Sequence, residues 1–249
     1  MKKKIIYIVG GSGLVGLELV NQINTKLYDV TVLDLNKNKK FNNKTNYQKF
    51  DCTKIDLIKK NLNNFFKIFG KPDVLINCSY PRTKNWSKVD FEKDNVEILK
   101  KNIEYHLNSY SIITQVTCNS IKKKGGSIIN VSSIYGTVGQ DESLYEGTNI
   151  KSNYIYSIIK SGIIGMTKSF AAHYGKYNIR INSISPGGIR DQNNKFQNIR
   201  FIKNYSKKTP LKRLAKVSEI ASPILFLASE GSSYITGTNI LVDGGWTCI

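Results

Sequence analysis

The chain is 249 residues long and 40% hydrophobic, enough for one α/β domain and too apolar for a disordered chain. Its 37 lysines and arginines against 18 aspartates and glutamates give a net charge of +19. The basic runs at 2–4, 37–40, 122–124 and 207–208 are scattered, and none is interleaved with aromatics on one helix face, so nucleic acid is not an expected partner.

Four cysteines (Cys52, Cys78, Cys118, Cys248) without paired spacing, together with two histidines, make no metal set, and no apolar run is long enough to span a bilayer. The expected setting is the cytoplasm, with reduced thiols, no metal and no membrane. In chain order, the lysine-rich start runs through an apolar stretch too short for a leader and straight into a glycine-rich turn, which predicts a buried first strand over 4–9. Further strands are predicted over 30–34, 47–50, 74–77, 127–132, 179–185 and 239–242. They are short, β-branched and nearly continuous in hydrophobicity, as strands covered on both faces must be. Helical periodicity fills the intervals over 13–25, 54–69, 91–123, 153–174, 194–206 and 218–228. This alternation predicts a single domain, 1–249, of α/β class: one doubly wound parallel sheet of Rossmann type with helices on both faces. One crossover breaks the pattern. Residues 35–46 are crowded with asparagine, a poor helix former, and a short or frayed connection is expected there.

The first turn reads Gly10-Gly11-Ser12-Gly13-Leu14-Val15-Gly16, with three glycines spaced by three between a strand and a helix. A helix N-terminus at that place offers backbone N–H groups and a positive dipole end to a pyrophosphate, and glycine lets the ligand approach. Gly10, Ser12, Gly13, Leu14 and Gly16 are therefore candidate cofactor contacts. Asp34 ends the second strand about twenty residues further on, where a carboxylate accepts the hydroxyls of an adenosine ribose and repels a 2′-phosphate. No arginine follows to offset that repulsion, so NAD is expected over NADP, although Lys37, Lys39 and Lys40 would tolerate a phosphate.

Tyr156 and Lys160 stand four apart on a predicted helix, so a phenol and an ammonium share one face. A neighbouring positive charge favours phenolate, which suits the phenol to proton transfer. The same spacing recurs at Tyr80 and Lys84, but Pro81 makes a helix unfavourable there. Ser132 and Ser133 end the fifth strand, where a side chain points into the ligand crevice of such a sheet or caps the departing chain.

Together these residues resemble the short-chain dehydrogenase/reductase superfamily over essentially the whole chain. The markers run in order: the glycine turn, Asp51-Cys52, Asn77-Cys78-Ser79, Ser133, Tyr156 with Lys160, Pro186-Gly187, and Val242-Asp243-Gly244-Gly245. The resemblance implies that Asp51 and Cys52 flank the adenine, Asn77 sits by the cofactor ribose, and Pro186, Gly187 and Ile189 border the nicotinamide. It also implies that Ser133 holds the substrate oxygen, Tyr156 is the acid/base, and Lys160 holds the ribose. Assembly as a dimer or tetramer, packed through the Tyr156 helix, is implied as well.

Several positions depart from the pattern. The glycine spacing is closer to the superfamily's sugar-nucleotide epimerases, and Tyr80 stands where Asn-Asn-Ala-Gly has glycine. His106 occupies the place of a proton-relay asparagine, with Asn102 one turn earlier as the other candidate. About ten extra residues separate Ser133 from Tyr156, including the segment 145–149. Within the superfamily, segments 77–84, 132–136, 145–149 and 184–189 resemble bacterial oxidoreductases of flagellin-glycosylation and legionaminic-acid-type sugar loci. That subgroup implies an anionic amino-sugar, sugar-phosphate or nucleotide-sugar substrate, with Tyr80, Arg82, Tyr145 and Arg190 on the substrate side. Arginine suits anion recognition better than lysine. Reduction of acyl or small ketone substrates, or a non-catalytic NAD-binding subunit, are the competing readings.

Overall fold

The computed structural model describes residues 3–249 except 90, 94, 149, 192–196 and 198. Seven parallel strands form one sheet in the order β3-β2-β1-β4-β5-β6-β7. They are β1 Lys4–Val9, β2 Tyr28–Asp34, β3 Thr45–Lys49, β4 Val74–Asn77, β5 Gly126–Val131, β6 Ile179–Pro186 and β7 Asn239–Val242. The helices are α1 Leu14–Gln22, α2 Ile55–Phe69, α3 Val96–Asn102, α4 Ser109–Ile121, α5 Tyr154–Tyr174, α6 Ile199–Lys208 and α7 Val217–Ala228.

Alternation along each strand divides the core into two layers. Ile6, Ile8, Val30, Val32 and Ile76 face α1 and α7, where Leu19, Val20, Ile220 and Ile224 cover them. Tyr7, Val9, Leu33 and Leu75 face the other way, onto Ile58 and Leu62 of α2 and Ile113 of α4. β1 lies between β2 and β4, so chain direction across the sheet reverses beside it, and a crevice opens at the carboxyl ends of these strands.

The predicted order of elements matches the structure, with boundaries moved by a few residues. Between β2 and β3 there is no helix, as expected from the asparagines. Asn38 and Asn42 turn their side-chain carbonyls onto the N–H groups of Lys40 and Lys44, each at 3.0 Å, which competes with helix formation. The predicted helix over 91–123 is corrected in two ways. It begins at Val96, and between α3 and α4 it widens into a π-helical segment, Ile103–Asn108, that carries His106. The predicted start of α6 at 194 lies outside the described residues.

Candidate active site

The crevice is an open cleft of about 910 Å³. One half is built from β1, α1 and β2. Gly10 has φ +77°, and a Cβ there would stand 2.6 Å from the Ser79 backbone, so the turn depends on glycine at this position. Gly13 begins α1 without any side-chain cap, and a Cβ on it would meet only the Gly10 carbonyl at 3.4 Å. The first turn of α1 therefore presents its backbone N–H groups to open space beside Ser12, Leu14 and Gly16, all on the cleft wall. Asp34 also lines the cleft, and its carboxylate accepts the Ser12 N–H at 2.9 Å. Ser12 is further fixed by Asn38, whose amide donates to its carbonyl at 3.1 Å. Asp51 and Cys52 form the next part of the wall, with Asp51 accepting both the N–H and the hydroxyl of Thr53. This half has the uncapped helix end, the close glycine backbone and the carboxylate that an adenine dinucleotide requires.

The other half gathers around α5. The two serines after β5 separate in role: Ser132 donates to the Lys160 carbonyl at 2.8 Å and ties the strand to the helix. Ser133 accepts the Tyr135 N–H at 3.2 Å, and it lines the same cleft as Tyr156. Burial raises the pKa of Tyr156, and the Ser133 contact pulls it back down. Lys160 is buried and donates to the Val131 carbonyl at 3.0 Å; burial pushes its pKa down to about 7, with Cys78 acting in the other direction. Its ammonium lies over the rings of Tyr156, Tyr110 and Tyr80 at 5.5, 5.8 and 5.9 Å, distances at which aromatic faces attract a cation. Pro186, Gly187 and Ile189 line the cleft at the end of β6, and Tyr205 of α6 accepts the neighbouring Gly188 N–H.

The remaining predicted residues are distributed unevenly. Tyr80 is 44% exposed and lines the cleft with Arg82, whose guanidinium sits 5.4 Å from the Tyr80 ring centre. Asn77 is fully buried behind the wall rather than on it, its side-chain carbonyl holding the Ser79 N–H and hydroxyl and its amide nitrogen unpartnered among the described atoms. Tyr145 lies back from the cleft, stacked on Phe201 of α6. Arg190 is exposed and is not part of the lining. Asn149, the last residue of the segment 145–149, lies outside the described residues.

His106 is fully buried, and neither ring nitrogen has a partner among the described atoms. Its ring packs against Tyr80 and Tyr110 at 5.4 and 5.3 Å. Burial holds its pKa well below the usual histidine range, and the Lys160 ammonium adds to the effect. Asn102, by contrast, is committed to the loop above it: it accepts the Thr83 N–H at 3.0 Å and donates to Thr83 and to Ile98.

Sequence reasoning missed Trp86, Tyr110 and Tyr135. Trp86 and Tyr80 stand edge-on to the Tyr156 ring at 6.2 and 5.9 Å. Tyr135 does so at 6.4 Å, and the Tyr110 hydroxyl donates to Ser79 at 2.9 Å. No local spacing marks these residues, because they come from three separate segments. Among the described residues, no cluster of histidine, cysteine or carboxylate side chains could hold a metal, and no helix is long and apolar enough to cross a membrane.

Comparison with known proteins decides what this arrangement is. Residues 19–247 match the family described as enoyl-(acyl carrier protein) reductase. The chain belongs to the short-chain dehydrogenase/reductase family. It is 29% identical over 257 residues to post-translational flagellin modification protein A of Campylobacter coli, covering 99% of each chain. It is 34% identical to the 3-oxoacyl-(acyl-carrier-protein) reductase of Chlamydia trachomatis over 78% of its own length and 73% of that protein. A crystal structure of a short-chain dehydrogenase from Leptospira borgpetersenii with bound NAD+ superposes with a TM-score of 0.87 at 34% identity, covering 99% of this chain and 94% of that one. The enzyme is accordingly a nicotinamide-dependent oxidoreductase.

Proposed function

We propose that the enzyme moves a hydride between NAD and a hydroxyl or ketone carbon of an anionic sugar (an amino-sugar, sugar-phosphate or nucleotide-sugar) in bacterial glycan biosynthesis. The observation that carries this reading is the meeting of Ser133, Tyr156 and Lys160 on one wall of a cleft whose other end is the glycine turn and Asp34. Bound NAD would supply hydride acceptance and donation at its nicotinamide, held by the turn, Asp34, Asp51, Cys52, Lys160 and the Pro186-Gly187-Ile189 edge. Ser133 holds the substrate oxygen. Tyr156 takes the hydroxyl proton or returns it, and the Lys160 ammonium beside it stabilises phenolate. NAD is favoured over NADP because the Asp34 carboxylate, fixed by Ser12, would face a 2′-phosphate.

His106 carries protons between Lys160 and solvent. In favour of this role are two ring nitrogens without partners among the described atoms, the Tyr80 and Tyr110 rings that the imidazole shares as neighbours with the Lys160 ammonium, and the commitment of Asn102 to Thr83 and Ile98. The sugar substrate is supported by the similarity to a flagellin modification protein and by Arg82 on the cleft wall. In this reading the enzyme works in the cytoplasm and assembles as a dimer or tetramer through α5, burying the exposed Ile158.

The test is NAD reduction or NADH oxidation against a panel of nucleotide-activated amino-sugars and their keto forms, with a 3-oxoacyl thioester alongside. Turnover on a sugar member is expected. Turnover on the thioester alone would replace the sugar with an acyl substrate, and cofactor binding without any turnover would favour a non-catalytic subunit.

A further inference from the structure

The insertion between Ser133 and Tyr156 is closed at its base by two amides. The Gln140 side chain pairs with the Asn153 backbone in both senses: Oε1 accepts the Asn153 N–H at 3.0 Å, and Nε2 donates to the Asn153 carbonyl at 2.8 Å. Nε2 also reaches Ser157 Oγ at 3.3 Å, and Oε1 accepts the Tyr145 hydroxyl at 3.4 Å. The primary amide thus does what a neighbouring strand would do, satisfying a peptide donor and acceptor together.

Asn153 uses its own side chain in two further directions. Its Oδ1 accepts the N–H groups of Ile155 and Tyr156 at 3.1 and 3.4 Å, capping the first turn of α5. Its Nδ2 donates to the Trp86 carbonyl at 3.0 Å. Trp86 opens a 3-10 turn, Trp86–Lys88, in the loop that bears Tyr80 and Arg82. The loop after β4, the insertion and the catalytic helix therefore meet at one residue, three positions before Tyr156. The Trp86 indole then returns to stand edge-on to the Tyr156 ring.

We infer that Gln140 and Asn153 are positioning residues: a latch that locks the Trp86 loop and the insertion onto the first turn of α5 and so holds the Tyr156 phenol opposite Ser133. A proton donor must be held to within a fraction of an ångström, and two loops and a helix end without a common anchor would not hold it. The inference rests on the proposed role of Tyr156, so its test has one readout that needs no substrate.

That readout is amide hydrogen exchange of the full chain, followed by mass spectrometry on segments 80–88, 140–148 and 153–157. Gln140→Met removes the clamp while keeping length and bulk. It is expected to speed exchange in all three segments by about fivefold or more, although Gln140 does not touch 80–88. Asn153→Asp keeps the helix cap and removes the donor to Trp86. It is expected to release 80–88 while the first turn of α5 stays protected. Faster exchange confined to 140–157 in Gln140→Met, with 80–88 unchanged, would overturn the latch whatever the enzyme's substrate is. With a substrate from the panel above, Gln140→Met is expected to lower kcat by about tenfold and to leave KM for NAD within about twofold. Equal loss in both parameters, or unchanged kcat with the exchange effect intact, would overturn the positioning role while leaving hydride transfer standing.

Discussion

The two halves of the cleft are built on different physical terms. The half from Gly10 to Cys52, where we propose the adenosine lies, is built within one strand–helix–strand unit and the segment after it: a glycine turn, an uncapped helix end, and a carboxylate at the end of the next strand, hydrogen-bonded to the turn itself. The substrate half is made of long-range ones. Tyr80 and Trp86 of the loop after β4, His106 of the π-helical segment, Tyr135 after β5 and Tyr156 of α5 come from four different segments, and their rings meet only because α5 packs against the π-helical segment and the turn after β5. Local chemistry sets what the first half binds, and the packing of loops sets what the second half does.

The largest expected effect separates the halves outright. Tyr156→Phe keeps the ring in its aromatic surroundings and removes the proton carrier, so turnover should fall by at least about a hundredfold while NADH binding, followed by fluorescence titration, is largely kept. Retention of most activity would show that the two halves do not divide binding from chemistry in this way.

Lys160 belongs to both halves, and its ammonium carries a burial cost that pH should reveal. Its folded pKa of about 7 lies below the ordinary lysine value, so the unfolded chain binds the extra proton between those two limits. Stability contributed by this group therefore rises with pH from about 7 upward, and its cost is fullest below pH 7. Relative to the wild type, Lys160→Met should be more favourable at pH 6 than at pH 9, by roughly 2–3 kcal/mol in denaturant titrations of the cofactor-free protein. A difference independent of pH would mean that the lysine is solvated in the free enzyme.

Asp34 sharpens the comparison from the adenosine side. NAD should bind at least about tenfold more tightly than NADP, a difference of roughly 1.4 kcal/mol by calorimetry. Asp34→Ala should shrink that gap without changing the pH dependence of turnover. Equal affinity of the wild type for both cofactors would end the argument from the carboxylate.

The smallest expected effect concerns His106. Because both buried nitrogens lack partners among the described atoms, His106→Leu should leave the fold intact or slightly firmer. It should slow turnover several-fold without loosening NAD, whereas His106→Asn should keep most activity. A fully active His106→Leu enzyme would pass proton transfer to bulk water.

The alternation of strands and helices, and hence the doubly wound sheet, was legible because burial on both faces writes itself into continuous apolar runs. The glycine turn and the Tyr156–Lys160 spacing were legible because each lies within a few residues, and Asp34 because a single strand–helix–strand unit sets its distance from the turn. Asparagine's preference for its own backbone also foretold the missing helix between β2 and β3. What only the tertiary structure decided lies where no local period operates. Ser133 rather than Ser132 faces Tyr156, because the chain leaves β5 with one hydroxyl turned to the α5 backbone. Asn77 and Tyr145 lie back from the cleft although both occupy site-bordering segments. The π-helical widening at His106, and the meeting of Gln140, Asn153 and Trp86, arise from the packing of α4, α5 and the insertion against one another. A sequence states which groups are available for such contacts, and only close packing selects which of them meet.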